Sequence, residues 1–271
     1  MGKLRSYFQI IVRFLGTGLV LKILSGMMLA FLMYGFIMLA ISPRQTILIS
    51  ETNDKVRSLT PDERTLMADA EGYDLLKQKA YLISRVACAN DDSIGLTMDL
   101  SSGRIALEIK GVILFERALI ECSASPYFKK MPDSSILMMT ASPHTVSMFR
   151  STIVKEPIVE KMAPKDTSEV ELTDFRIDTS YREPAFLVFV LDNGMEIVLK
   201  QYHGVSFRDQ FKYGSFIFRE KMNRIGHVLY ALIRGKVPPY TPRITAELSA
   251  KDIRIIYRAL PQHPRVSLRI L

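Results

Sequence analysis

The chain has 271 residues and carries 36 basic against 28 acidic side chains, a formal net charge of +8. Four of the cations precede a long apolar run near the N-terminus, which leaves 32 basic and 28 acidic residues in the remainder. That is a mild excess for a solvated surface, and no run of Lys and Arg is interleaved with aromatic residues. The composition therefore gives no support to a nucleic-acid-binding protein.

The apolar run is ILSGMMLAFLMYGFIMLAIS, residues 23–42, and it contains no charged side chain. Twenty residues of helix span about 30 Å, which is the thickness of the hydrocarbon core of a bilayer. A cleaved signal peptide is the alternative, but its apolar core is usually about 7–15 residues and ends at a small-x-small site. The length of the run therefore favours a retained transmembrane helix.

Charge predicts the orientation of this helix. Lys3, Arg5, Arg13 and Lys22 precede the run, whereas residues 1–50 contain no acidic residue and only Arg44 lies close to the far end. Cationic flanks stay in the cytoplasm. We therefore predict a single-pass protein of the cytoplasmic (inner) membrane. Residues 1–22 form a cytoplasmic or interfacial basic segment, and residues 43–271 lie in the periplasm or outside the cell.

Residues 43–92 predict a juxtamembrane amphipathic helix. The sequence TPDE, from Thr60 to Glu63, is a capping box with Pro at the first helical position. The helix ends near Asn90, and its wide apolar face favours packing on the following domain over a free stalk. Apolar residues recur at steps of three and four at Leu66, Ala70, Tyr73, Leu76, Ala80, Ile83 and Ala87.

Residues 93–271 predict a β-rich domain with C-terminal helices. Three strands, SIGLTMDL, IALEIK and VILFERALIECSAS, are joined by tight turns at Gly103 and Gly111, as in a meander. Strand-like pieces follow in SILMMT, HTVSMF and EVELTDFRI. AFLVFVLDNGMEIVLKQYHG then predicts a hairpin around Asn193–Gly194 that ends at His203.

Two helices and a last strand complete the prediction. REKMNRIGHVLYALIRG predicts a helix that stops at Gly235, with Ile225, Val228, Leu229 and Leu232 directed inward. SAKDIRIIYRAL predicts a helix capped by Ser249, and RVSLRIL predicts the last strand.

Cys88 and Cys122 are the only cysteines. Outside the cytoplasm they could form a disulfide, and two buried free thiols are the alternative. They lack nearby histidines at ligand spacing, and His144, His227 and His263 are widely separated along the chain. We therefore predict no metal site, and no motif indicates a cofactor.

The passage LTMDLSSGRIALEIKGVILFERALIECSAS, residues 96–125, resembles the opening of the L,D-transpeptidase catalytic domain. The His-Gly step at 203–204, which closes a strand, is similar to the His-Gly step that precedes the active-site loop of that family. This resemblance covers roughly residues 93–240. It implies a mostly β fold in the bacterial cell envelope and the cross-linking of peptidoglycan stem peptides.

The expected nucleophile of that family is missing. The family signature Ser-His-Gly-Cys-x-Arg has its best match in KYGSFI, residues 212–217, where Tyr213 replaces the His, Ser215 the Cys and Ile217 the Arg. Arg219 fits only with a shifted spacing. A Ser hydroxyl needs a strong base close by, and His203 is the only candidate in this stretch.

Three hypotheses follow for function. The first is a membrane-anchored, catalytically inactive L,D-transpeptidase-like domain that binds peptidoglycan or an envelope partner. The second is an active acyl-transfer enzyme that uses Ser215 and His203. The third is a structural subunit of an envelope membrane complex. In the first hypothesis Tyr202, Tyr213 and Arg219 are candidate binding residues; Phe207, Phe211 and Phe216 could line the same groove or belong to a core.

Overall fold

The computed structural model describes residues 18–54, 60–155, 184–202 and 207–270. Within these ranges, the side chains of 18–20, 47–54, 207–210, 212 and 213 are not described. The predicted strand at residues 169–177 and the residue His203 lie outside the described part of the chain.

The described residues form seven helices and nine strands. The helices are α1 Gly18–Asp54, α2 Pro61–Leu66, α3 Ala70–Ala89, α4 Tyr127–Lys130, α5 Asp133–Ala141, α6 Phe207–Ile233 and α7 Ala250–Ala259. The strands are β1 Gly95–Asp99, β2 Arg104–Ile109, β3 Val112–Ala118, β4 Glu121–Ala124, β5 His144–Ser151, β6 Phe186–Leu191, β7 Glu196–Gln201, β8 Arg243–Leu248 and β9 Arg265–Arg269. The protein is therefore α+β.

The first helix, α1, contains the predicted membrane segment. Its stretch Leu21–Thr46 has a mean hydropathy of 2.1 and is long and apolar enough to cross a membrane. Most of its apolar side chains are exposed, as a lipid-facing helix requires. The helix does not stop at residue 42, because it continues through Pro43 to Asp54.

The predicted juxtamembrane helix is divided into two. The capping box at Thr60–Glu63 is confirmed, but it begins the short α2, and Asp69 then caps α3 by accepting a hydrogen bond from Gly72 N. A β-carbon on Gly72 would lie 2.5 Å from the carbonyl oxygen of Leu66, so only glycine allows the two helices to join this closely. The end of α3 at Asn90 is as predicted.

All nine strands belong to one mixed sheet in the order β3-β2-β1-β9-β5-β6-β7-β8-β4. The pairs β1–β9 and β7–β8 are parallel, and the other pairs are antiparallel. The predicted meander is confirmed in β1, β2 and β3. Its second turn is Lys110–Gly111, in which both residues have positive φ. The β6–β7 hairpin turns through Asp192, Asn193 and Gly194, and Gly194 has positive φ.

The sheet curls round on itself. Its two edge strands, β3 and β4, are separated in the chain by only Leu119 and Ile120. Leu119 N donates to Gly103 O near β2, whereas Ile120 N donates to Glu247 O of β8. The prediction of a single third strand through VILFERALIECSAS is therefore wrong, because this stretch changes its partner strand at residues 119 and 120. Cys122 consequently lies in β4.

The stretch SILMMT forms a helix, so the prediction of a strand there is wrong. It lies in α5, which begins after Pro132 and buries Ile136, Leu137 and Thr140. This spacing of one and three residues places the three side chains on one helical face. The prediction for HTVSMF is confirmed by β5, and Ser249 caps α7 as predicted, since its Oγ accepts from Asp252 N at 3.1 Å.

Helices α3 and α7 pack against the sheet. The apolar face of α3 packs on β9 and α5, where Leu76, Ala80 and Leu137 form a buried cluster. The predicted packing of this helix on the domain is therefore confirmed, although Leu66 and Ile83 are exposed. Helix α7 lies against β6 and β7.

The chain divides into two compact units. One comprises residues 1–49 and 223–240, and the other comprises residues 50–222 and 241–271. The sheet and the helices α2–α5 and α7 belong to the second unit. The first unit contains most of α1 and the end of α6.

Candidate functional site

The strand β7 leads to the predicted catalytic histidine. It ends at Gln201, and the next residue, Tyr202, is partly exposed and donates its backbone N–H to Leu248 O at 2.9 Å. Because β7 and β8 are parallel and Gln201 is paired with Leu248, β7 ends beside Ser249, the residue that follows β8. The hydroxyl of Ser249 caps α7 and contacts Asp252 Oδ2 at 2.7 Å, so it stabilises the start of that helix.

The signature-like segment KYGSFI does not form a loop. Residues 212–217 lie inside α6, so the prediction of an active-site loop there is wrong. Phe216 and Glu220 are both buried and lie four residues apart, which is the spacing of one helical face. Phe216 packs edge-on against Phe186, with 5.3 Å between the ring centres. Backbone N–H groups inside a helix are used by carbonyls of the preceding turn. They are therefore not available as oxyanion donors beside Ser215.

The other residues predicted for this site do not converge. Ser215 is exposed on α6, and the Arg219 guanidinium carbon lies 5.7 Å from the centre of the Phe216 ring. The side chain of Tyr213 is among those that the structure does not describe. Phe211 is exposed, whereas Phe216 is buried in the domain. The described aromatic residues therefore do not line one groove.

Both cysteines are free thiols and partly buried. Cys88 lies at the end of α3, where its Sγ is 3.2 Å from Ser267 Oγ, and Ser267 also contacts Ser84 at 3.0 Å. Burial raises the pKa of the Cys88 thiol, which favours the protonated form. Cys122 is on β4, at the other edge of the sheet from β3.

Histidines in the described part of the chain are bonded to structural groups or exposed. His144 Nε2 lies 2.9 Å from Met139 O and its Nδ1 lies 3.3 Å from Asp192 Oδ1, while His263 Nδ1 lies 3.1 Å from Val146 O. His227 is exposed on α6. No hydrogen bond between an imidazole and a hydroxyl or thiol is therefore found among the described residues.

A buried ionic cluster occupies one face of the sheet. Glu196, at the start of β7, is paired with Arg150 of β5 and with Arg243 of β8. The Nη1 of Arg150 also lies 2.9 Å from Glu220 Oε2 of α6. Both carboxylates are buried, so two arginines and two carboxylates neutralise one another and fix α6 over this face.

A cavity with a cationic lining lies at the end of α7. Its volume is about 780 Å³, within the range of small-molecule sites. Lys155 and Arg258 contribute positive charge, and the described lining contains no carboxylate. The lining residues are Ser93, Ile94, Ser147, Met148, Phe149, Lys155, Tyr257, Arg258, Ala259, Leu260, Pro261, Gln262 and His263.

Lys155 is a positively charged residue of the cavity lining that contacts both backbone carbonyls and aromatic rings. Its ammonium donates to the carbonyls of Leu260 and Pro261, the latter at 3.3 Å, and lies 5.2 Å and 5.5 Å from the ring centres of Phe149 and Tyr257. Burial lowers the pKa of Lys155 and raises that of Tyr257. An anionic group in the cavity would favour the charged ammonium and compensate its desolvation.

Sequence reasoning missed both the ionic cluster and the cavity. Their residues are far apart in the chain and come together only through strand order and the packing of α7. The local signal was a single charged residue next to an apolar strand sequence, as at Glu196 before IVL. Such a charge within a buried strand indicates a partner but does not identify it.

The described residues include no group of three or more His, Cys, Asp or Glu side chains that could hold a metal ion. Comparison of the chain with protein-family models, curated proteins and solved structures gives no match.

Proposed function

We propose that this chain is a membrane-anchored protein of the bacterial cell envelope whose exported domain binds peptidoglycan without cross-linking it. The observation that carries the proposal is the cationic cavity around Lys155 and Arg258. Peptidoglycan stem peptides bear free carboxylates, and an ammonium and a guanidinium are the groups that bind carboxylates in proteins. The anchor helix α1 would hold the domain close to this polymer.

The chemistry of the described residues supports binding over catalysis. Acyl transfer through a thioester needs a thiolate, a base and oxyanion donors in one place. Cys88 is a partly buried thiol whose raised pKa favours the protonated form, Ser215 is exposed within a helix, and the described imidazoles contact backbone carbonyls or lie on the surface. A transpeptidase using Ser215 and His203 therefore remains the weaker of the two proposals.

Binding can be measured by co-sedimentation of the full chain, held in lipid nanodiscs, with purified peptidoglycan. We expect Lys155→Met to weaken binding about tenfold, which corresponds to about 1.4 kcal/mol. Lys251→Met is the matched control, because Lys251 is an exposed cation on α7 and does not line the cavity. If both variants and the unsubstituted chain bind equally well, the cavity is not the binding site for peptidoglycan.

Catalysis is tested separately with a stem-peptide donor and mass spectrometry of the intact protein. We expect no acyl adduct on Ser215, Cys88 or Cys122. We also expect Ser215→Cys to stay inactive, since α6 supplies neither a described base nor a free oxyanion donor beside this position. An adduct on the unsubstituted chain would identify an enzyme and overturn the binding proposal.

A structural subunit of an envelope membrane complex is the second candidate. It is favoured by an exposed apolar groove of about 450 Å³ on α3, lined by Leu75, Leu82, Ile83 and Val86 together with Gln78 and Lys79. Exposed apolar patches of this kind are typical of protein–protein contacts. If the domain fails to bind peptidoglycan, cross-linking from Val86 is the experiment for this alternative.

A further inference from the structure

The end of α6 and the chain that follows it form a hairpin against the anchor helix. Helix α6 stops at Ile233, and Gly235, with a φ of 67°, donates its N–H to Leu232 O while Lys236 N donates to Ala231 O. This pair of hydrogen bonds is the Schellman motif, which reverses the chain direction. We call residues 223–240 the α6 hairpin, and these residues and residues 1–49 belong to the same compact unit.

Two contacts fix the α6 hairpin beside α1. A β-carbon on Gly35 would lie 3.4 Å from Leu232 Cδ1, which is van der Waals contact distance, so Leu232 packs directly against α1 at this position. The Ser42 hydroxyl donates a buried hydrogen bond to Pro238 O at 2.6 Å. Gly35 precedes Ser42 by seven residues, or about 10 Å of helix. Leu232 therefore lies level with the interior of the predicted span 23–42.

One stripe of the α6 hairpin is apolar and exposed, although it lies next to the face that carries Leu232. Ile225, Leu229 and Ile233 recur at steps of four and form one stripe, and Ile233 is 75% exposed. The neighbouring apolar residue of α1, Phe36, is also 75% exposed. Both helices thus present exposed apolar side chains close to the contact between Gly35 and Leu232.

The charges of the α6 hairpin are all positive. Residues 223–240 contain Arg224, Arg234 and Lys236 and no acidic residue. The guanidinium of Arg234 lies 4.3 Å from the centre of the Tyr230 ring. Long cationic side chains can extend from an apolar region to lipid phosphates, and Tyr is favoured at the membrane interface.

We infer that the α6 hairpin is embedded in the outer leaflet of the membrane that α1 spans, with Ile225, Leu229 and Ile233 against acyl chains. Arg234 and Lys236 reach the lipid headgroups from this position. The occupant of the exposed face is therefore lipid, because Leu232 is packed beside a residue inside the span. This inference rests on the membrane anchor of the proposed function. It adds a second membrane-contacting element, distant in the sequence from the first.

The chain contains no Trp, so a single introduced Trp reports its own surroundings. The full chain carrying Ile233→Trp is placed in phosphatidylcholine–phosphatidylglycerol nanodiscs, with or without lipids brominated on the acyl chain. We expect brominated lipid to quench this Trp strongly and aqueous acrylamide to quench it weakly. Leu229→Trp, one turn away on the same stripe, should behave in the same way.

Two further variants make the result decisive. Phe36→Trp lies on α1 and should be quenched by brominated lipid, whereas Val112→Trp, at a position 62% exposed on the edge strand β3, should be quenched only by acrylamide. If Phe36→Trp is quenched by lipid and Ile233→Trp behaves like Val112→Trp, the hairpin is outside the bilayer and the inference is wrong. If Phe36→Trp also behaves like Val112→Trp, the anchor itself fails, and the inference fails with it.

Discussion

The carboxylate of Asp99 stabilises the turn that joins β1 to β2. Its Oδ1 accepts hydrogen bonds from Ser101 N at 2.9 Å, from Ser101 Oγ at 2.6 Å and from Ser102 N at 3.2 Å. Burial alone would raise the pKa of Asp99, but the hydrogen bonds from Ser101 and Ser102 outweigh it, and the pKa is lowered. The folded state therefore favours the ionised carboxylate.

We expect Asp99→Asn to lower the free energy of unfolding by about 1 kcal/mol at neutral pH. A lowered pKa means that this stabilisation is present above the pKa of the unfolded chain and is lost as pH falls through the folded value. The difference between variant and unsubstituted chain should therefore shrink in acid, as measured by urea unfolding in detergent. Asp92→Asn, at an exposed aspartate, is the control, and a difference independent of pH would contradict the assignment.

Local rules explain which single residues were predictable. The capping box at Thr60, the cap at Ser249 and the glycine turns at positions 111 and 194 depend on neighbours within a few positions. The surroundings of Cys88 depend on Ser267, which is 179 positions away. No local pattern could indicate that contact, so the choice between a disulfide and two free thiols stayed open from sequence.

Elements were predicted where glycine turns mark their ends and misread where the apolar pattern is ambiguous. The turns at Gly111 and Gly194 gave the hairpins β2–β3 and β6–β7, and Gly235 gave the right end of α6. The segment SILMMT is apolar on most sides, so its period does not distinguish a strand from a helix. In α6, Ile225 and Leu229 follow helical spacing but are exposed, at 51% and 43%. The prediction that these two residues point inward was therefore wrong.

The ionic cluster around Glu196 joins three strands and a helix, and its loss should lower the free energy of unfolding substantially. Glu196 is buried between Arg150 and Arg243, and removing it leaves two guanidinium groups without their shared carboxylate. We expect Glu196→Ala to lower the free energy of unfolding by about 3 kcal/mol, because the partly buried Arg150 and Arg243 keep their desolvation cost after losing this carboxylate. Thermal unfolding followed by circular dichroism measures the change.

A variant at an exposed ion pair serves as the control, because it removes an ion pair without leaving a charge in a buried site. Glu116 of β3 forms an exposed pair with Arg104 at 3.2 Å. Glu116→Ala should change the free energy of unfolding by less than about 1 kcal/mol. Similar losses in the two variants would show that burial does not set the strength of the Glu196 cluster.

At the scale of the whole molecule, strand order was beyond prediction. The meander and the hairpin were readable as separate pieces, but β9 inserts between β1 and β5, and β4 pairs with β8 at the far edge. These pairings join segments more than 100 positions apart and are decided by packing of the assembled sheet. For the same reason the cavity around Lys155 was not visible from sequence, since it needs β5, α7 and the residues before β1 together.

Membrane orientation is a property of the whole chain that charge alone should decide. The cations at positions 3, 5, 13 and 22 face a single nearby cation, Arg44, across the apolar stretch of α1. Cationic flanks are retained in the cytoplasm, so the domain that contains the sheet should be translocated. Alkaline phosphatase fused after Leu271 is then expected to be active, and a fluorescent reporter that folds only in the cytoplasm should be dark.

Replacing the four N-terminal cations with Glu removes this asymmetry and should lower the alkaline phosphatase activity severalfold, because both orientations then become accessible. Four matched replacements at exposed cations of the sheet-containing unit should leave it unchanged, since they are far from the ends of α1. Suitable positions are Lys79, Arg104, Lys110 and Arg117. Two results would count against a retained anchor with its N-terminus inside. One is a bright cytoplasmic reporter on the unsubstituted chain, and the other is a purified protein that begins near Ile41, as cleavage would produce.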